Sequence, residues 1–325
     1  MSTNTAAVIY NPIKVEVDDL RAAIAAEPGA EGWDVLWFET TEEDPGTGQA
    51  SAALDKGASV VIAVGGDGTV RTVSEVVRRS KDAAVALLPS GTGNLLARNL
   101  DLTLDDMAHS IRTAFTGTVR EVDVARIDIR RAGGSRDEHA FLVMAGAGLD
   151  AKIMNNTDPE LKKKVGWLAY ARALVTSLRD SSALRVGHQL DGGRRHSDRA
   201  TAIIIGNCGS LPANILLLPE ASVDDGIFDI VALRPDGLIG WVQIWVKIVW
   251  ENGVLRRSQV GRKLMSLTKE VRTLRYLKGK QLVMRLEQPQ QYELDGDPFG
   301  EAVALKATVD HLALAVRIPA DREIG

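Results

Sequence analysis

Between residues 60 and 100 the chain runs twice through one design: an apolar segment, a glycine-rich bend, then a helical pattern. The first pass is VVIAVGGDGTVRTVSEVVRRS (60–80) and the second is VALLPSGTGNLLARNL (85–100). Continuous apolar runs of this length read as strands covered on both faces, which is how strands of a parallel sheet are buried. The residues before them keep the alternation. AAVIYNP (6–12) reads as strand then turn, VEVDDLRAAIAAEPG (15–29) as a helix stopped by Pro28-Gly29, DVLWFET (34–40) as a strand, and 49–56 as a helix after a turn-rich loop. Alternating strands and helices of this kind predict a parallel α/β domain.

Past about residue 120 the texture changes. EVDVARIDIR (121–130), AFLVMAGAG (140–148), RATAIIIGN (199–207), IFDIVAL (227–233), QLVMRLEQ (281–288) and AVALKATVDHLALAVRIP (302–319) are β-rich, and turn clusters at 131–138 and 190–198 separate some of them. We expect an α/β domain over 1–122 and an all-β sandwich over 123–325. The last strand, about 310–320, would pack back on the first domain. Helical insertions are expected at 160–180 and roughly 237–276.

Composition narrows the classes. A net charge of −4 argues against a general nucleic-acid binder. The single cysteine, Cys208, excludes an intramolecular disulfide and a cysteine zinc cluster, and fits a reducing cytosol. MSTNTAAVIYNP lacks the basic and apolar regions of a signal peptide. LIGWVQIWVKIVW (238–250) is interrupted by Gln243 and Lys247 and is shorter than the ~20 residues of a spanning helix.

The two bends carry the chemistry. Glycines let backbone N–H groups reach phosphate oxygens with no β-carbon in the way, and the helix that follows presents its positive end. Gly65, Gly66, Gly68, Thr69, Thr92 and Asn94 are candidate contacts; Asp67 and Thr69 could equally serve as helix caps. A carboxylate facing a triphosphate is repelled unless a divalent cation stands between them. Asp67 therefore predicts Mg²⁺ shared with a nucleoside triphosphate. No GxxxxGK[ST] loop occurs, and Asp67 spoils a dinucleotide fingerprint at 65–70.

GGDGT (65–69) and SGTGN (90–94), with NP at 11–12, GNCGSLPANILLLPEASVDDGIFDIVAL (206–233) and YELDGDP (292–298), resemble the diacylglycerol kinase catalytic-domain family nearly end to end. The resemblance implies a nucleotide domain and a β-sandwich domain with the active site in the cleft between them, and phosphoryl transfer from ATP with Mg²⁺ to a lipid hydroxyl. It implies nucleotide contacts at Asn11, Thr40 or Thr41, Gly66, Asp67, Gly68, Thr69 and Thr92. Asp123 would join the Asp67 magnesium network. The Ser222 carbonyl, Asp225 carboxylate and Ile227 carbonyl would hold a structural Mg²⁺. Asp297 falls where the family has its general base, a glutamate there; Asp67 is the rival base.

Two further departures stand out: NPIKVE lacks the Ser-Gly that follows the family's proline, leaving Lys14 either a substitute point charge or a solvated side chain. Thr72 occupies a glutamate position. Trp241, Trp245 and Trp250, followed by nine basic residues from Arg256 to Lys280, suggest transient contact with an anionic membrane surface, or else packing on the sandwich with solvated charges. The expected location is the cytoplasm, peripheral to the inner membrane surface, and an open sheet edge could pair two chains. An NAD kinase shares GGDG but should also carry Gly-Ser-Thr-Ala-Tyr and Gly-Gly-Pro stretches, which are absent here. A catalytically silent nucleotide- or lipid-binding regulator is the alternative of a different class.

Overall fold

The computed structural model describes residues 4–148, 184–211, 215–216, 218, 220–235, 240, 243–244 and 274–320. The chain divides into two compact units, one of Met1–Val124 with Asp310–Gly325 and one of Ala125–Val309.

In the first unit, β1 (Asn4–Tyr10), β2 (Trp33–Glu39), β3 (Val60–Gly65) and β4 (Ala84–Pro89) are all parallel, in the order β4-β3-β1-β2. The apolar runs form strands because both faces are covered. Val8, Val60, Ile62, Val64 and Leu88 are fully buried against Leu20 and Ile24 of α1 (Val17–Ala25) and Ile111, Ala114 and Phe115 of α5 (Met107–Thr116). Burying each large side chain of this set contributes roughly 1.5–3 kcal/mol. Between them in sequence lie α2 (Thr47–Asp55), α3 (Asp67–Val77) and α4 (Leu95–Asn99).

Two features of this unit were not anticipated. Helix α5 exists because Asp106 accepts a hydrogen bond from the His109 N–H and apolar residues recur at three- and four-residue spacing. Helix α3 starts at Asp67 rather than Val70, so GGDG is itself the entry to the helix.

The second unit is built from antiparallel strands, among them β5 (Thr118–Arg130, whose start belongs to the first unit), β6 (Arg136–Phe141), β7 (Met144–Ala147), β8 (Leu184–Leu190), β9 (Arg195–Ala200) and β10 (Ala202–Gly206). Short β11 (Ser210–Leu211) and β12 (Ile215–Leu216) pair with each other, and β13 (Phe228–Leu233), β14 (Leu274–Gly279), β15 (Gln281–Leu294) and β16 (Asp297–Ile318) follow. The order is β14-β13-β10-β7-β15-β16, with β8 also on β15. Residues 310–318 of β16 belong to the first unit, where Val316 lies parallel to Val85. Phe141 and Phe228 stack at 6.0 Å in the core of the second unit.

Two sequence expectations are corrected. The turn expected over 190–198 is confined to 191–194, because His196 and Arg195 already pair with His188 and Gln189. The helical insertion expected to reach residue 276 gives way to β14 at Leu274, whose backbone pairs with Leu233. The rest of that insertion, apart from helical positions 240, 243 and 244, and all of 160–180, lie outside the described residues. No helix among the described residues is long and apolar enough to cross a membrane.

Candidate functional site

The carboxyl ends of β1 to β4 gather ten of the predicted residues on one edge of the parallel sheet, the edge where ligands of such sheets bind. Asn11 leaves β1 with its N–H on the Val64 carbonyl, and Thr40 leaves β2 with its N–H on the Tyr10 carbonyl. Thr40 is buried. The Thr41 hydroxyl accepts from the Asp44 N–H, and the Asp44 carboxylate in turn accepts from the N–H groups of Gly46, Thr47 and Gly48. That shapes the start of α2 and leaves Thr41 serving its own loop.

Where the two glycine loops meet, there is no space for side chains. A β-carbon on Gly91 would lie 2.6 Å from the Gly66 Cα, and one on Gly65 would lie 2.7 Å from the Thr69 hydroxyl. Thr69 is buried beneath Gly65, whereas Thr92 is exposed. Asn94 closes the second loop: its Oδ1 accepts from the Gly91 N–H at 3.1 Å and its Nδ2 donates to the Gly91 carbonyl at 2.9 Å. Its left-handed backbone (φ 48°) is one that asparagine tolerates better than most residues. Arg98 Nε donates to the Gly93 carbonyl at 2.7 Å and holds the loop from the helix side.

Asp67 is the hinge of this arrangement. Its Oδ1 accepts the Leu95 N–H at 2.5 Å, and a β-carbon on Gly93 would lie 2.3 Å from its Oδ2. The carboxylate thus fastens the first turn of α3 to the first residue of α4, which has no side-chain cap of its own. Thr72, where a family glutamate was expected, is buried and donates its hydroxyl to the Gly68 carbonyl at 2.8 Å. It brings no charge to this edge.

Asp123 is fully buried. Its Oδ1 meets His311 Nδ1 at 2.8 Å and accepts the Leu312 N–H at 2.7 Å, pinning the point where β16 takes a left-handed residue, Leu312. The 222–227 segment is a turn in which Val223 is buried and Asp225 is exposed. Ser222 Oγ donates to Asp224 Oδ1, and Asp225 Oδ1 accepts the Ile227 N–H at 3.2 Å. Carboxylates and carbonyls are the hard oxygen donors that Mg²⁺ takes, and Mg²⁺ usually keeps several waters and substrate phosphates besides. The chemistry of both places therefore fits Mg²⁺. Among the described residues no three His, Cys, Asp or Glu side chains cluster, so phosphate oxygens or waters would have to complete either shell.

In the second unit, Asp295 and Gly296 (φ 49° and 88°) form the two-residue turn between β15 and β16, and Asp297 pairs with Leu294 across it. Asp295, in the YELDGDP stretch, is buried. Its carboxylate accepts from the N–H groups of Leu142, Val143 and Met144 at 2.9, 2.8 and 3.0 Å. The same segment receives Asn207, whose Nδ2 donates to the Leu142 carbonyl at 2.9 Å. The Gly-Asn and Asp-Gly motifs, far apart in sequence, thus grip one piece of backbone, and Asp297 stands half-buried at the end of that scaffold.

Of the basic residues expected at a membrane surface, two described ones are paired: Arg275 with Asp198, and Lys278 with Glu220 and Asp229. Trp241, Trp245, Trp250 and the stretch 256–273 lie outside the described residues.

Residues 5–127 match the diacylglycerol kinase catalytic domain, and residues 143–317 match the YegS C-terminal NAD kinase β-sandwich-like domain. A Pseudomonas aeruginosa protein named "Probable lipid kinase YegS-like" is 31% identical over 225 residues, covering 69% of this chain and 70% of its own. A Pseudomonas fluorescens protein of the same name is 32% identical over 244 residues, covering 74% and 75%. The fold is shared with a crystal structure of a diacylglycerol kinase from Bacillus anthracis (TM-score 0.67, 20% identity, 97% of this chain and 96% of that one). It is also shared with yeast NADH kinase (TM-score 0.51, 9% identity, 97% and 83%).

Proposed function

The chain belongs to the diacylglycerol kinase catalytic-domain family of lipid kinases, and from that premise we propose that it moves the γ-phosphoryl group of ATP, with Mg²⁺, onto the hydroxyl of diacylglycerol or a related lipid. The observation that carries the nucleotide half is the Gly66–Gly91 contact. Two loops are packed backbone to backbone, and the Asp67 carboxylate is fastened across them. Such a surface offers main-chain N–H groups to phosphate oxygens and excludes side chains from them.

Each group has a defined task in this reading. The loops and the exposed Thr92 hydroxyl bind the phosphates. Asp67, already oriented by the Leu95 N–H, would hold Mg²⁺, with Asp123 supporting the same network, and Asp225 with the Ser222 and Ile227 carbonyls would hold a second, structural ion. Bound Mg²⁺ supplies charge neutralisation on the phosphate oxygens. Asp297 accepts the proton of the lipid hydroxyl as that oxygen forms its bond to the γ-phosphorus, and the bond to the ADP oxygen breaks. The lipid comes from a bilayer, and the Trp-rich and basic stretch between 238 and 280 is the proposed transient contact with it.

Labelled ATP offered with diacylglycerol, monoacylglycerol, a sphingoid base or ceramide in vesicles, with and without anionic lipid, is expected to yield one phosphorylated lipid. Turnover should be higher on anionic vesicles and be abolished by chelation. No transfer to any of these lipids would overturn the reading. Gly91→Ala provides a structural check: its methyl would force the two loops apart, costing about 1–3 kcal/mol as overpacking. The dissociation constant for MgATP is expected to rise by roughly tenfold, since a small displacement suffices to misalign several N–H donors. Calorimetry on the folded variant measures this.

A further inference from the structure

The loop after β1 reads Asn11-Pro12-Ile13-Lys14, and the way it folds gives the lysine a place. Asn11 makes the turn: its Oδ1 accepts the Ile13 N–H at 2.9 Å and its carbonyl accepts the Lys14 N–H at 3.0 Å. The turn leaves Ile13 almost wholly in solvent, 92% exposed, and sends the Lys14 side chain back over the first glycine loop. There Lys14 Nζ comes so close to Gly66 that a β-carbon on that glycine would lie 2.6 Å from it. Lys14 makes no ion pair among the described residues, although Asp67 is the next residue along from the glycine it covers.

An ammonium held against bare backbone, beside the Gly66–Gly91 contact and with no carboxylate partner among the described residues, is placed to receive an anion. We propose that Lys14 is a phosphate-binding residue of this enzyme, acting as a point charge beside the glycine loops. The P-loop lysine reaches phosphates from a glycine-rich loop by the same logic, there from within the loop itself and here from the turn that follows β1. The inference rests on the nucleotide reading of the glycine loops.

Calorimetric titration of MgATP into wild type, Lys14→Met and Lys14→Arg separates the two ideas. The Lys14→Met variant keeps the length of the side chain without its charge, and it should weaken binding roughly tenfold, an effect that shrinks as salt is raised. Lys14→Arg should bind within a few-fold of wild type, since the cation is kept. Because Lys14 is exposed, the melting temperature serves as a folding control and should not move. Lys14→Met binding as tightly as wild type would overturn the assignment of Lys14 alone, as would Met and Arg variants weakened equally. Wild type that binds no MgATP would overturn the nucleotide reading and this assignment with it.

Discussion

Asp297→Asn is expected to lower kcat by about 10²–10⁴-fold, the usual contribution of a positioned general base, while leaving the dissociation constant of MgATP essentially where it was. The substitution is nearly isosteric, and Asp297 holds its place in the sheet through its backbone pairing with Leu294, so the hairpin should survive it. An amide cannot take the hydroxyl proton, so the loss falls on the chemical step. Asp67→Asn is expected to behave differently. Asp67 holds the two glycine loops together through the Leu95 N–H, so its amide should raise the dissociation constant for MgATP as well as lower kcat. Steady-state kinetics with the accepted lipid, paired with calorimetry on both variants, distinguishes the two carboxylates. Near-normal kcat in Asp297→Asn, with turnover lost only in Asp67→Asn, would transfer the base role to Asp67.

How far the sequence disclosed this arrangement follows from the range of the forces involved. The parallel sheet was legible because strands buried on both faces must be apolar throughout and their helices amphipathic, and both signals are local. The glycine loops were legible as phosphate-type loops, but their mutual contact was not: Gly66 and Gly91 touch only because β3 and β4 are neighbours with Gly65 opposite Pro89. Helix α5 could have been found. Asp106, then Ile111, Ala114 and Phe115, then Gly117 is a capped amphipathic pattern that an eye set on the β-rich texture after residue 119 passes over. The hairpin of β8 and β9 was obscured for the opposite reason, since RRHSDR is polar and looks like a loop. It is a strand because His188 and His196 pair across it and Asp198 gathers Arg234 and Arg275. Lys14 was left ambiguous between point charge and solvated side chain because nothing local says where a flexible four-carbon stem will end. Asp295 is the hardest case, since its partners at 142–144 are some 150 residues away and are backbone groups, which leave no imprint on side-chain pattern.

Losing Asp295 should be costly to the fold, because its partners are buried backbone donors. Asp295→Ala strips the acceptor from three backbone N–H groups, at Leu142, Val143 and Met144, in a segment whose residues are buried and closed off by Asn207. Donors buried without partners cost roughly 1–3 kcal/mol each, and alanine is also strained at the left-handed backbone that Asp295 adopts, φ 49°. A loss of about 3–5 kcal/mol is expected, a large share of the 5–15 kcal/mol that holds a typical domain together. Urea unfolding should show it as a lowered midpoint. Asp295→Asn retains one acceptor oxygen and a residue type suited to that backbone, so it should fall between wild type and the alanine variant. Its kcat should decline only as far as Asp297 is released from its scaffold. If Asp295 were instead a second proton acceptor, the asparagine variant would lose turnover outright while unfolding at the wild-type midpoint. A stability loss ordered alanine over asparagine, with partial activity in the latter, therefore places Asp295 as the anchor that holds Asp297 in position.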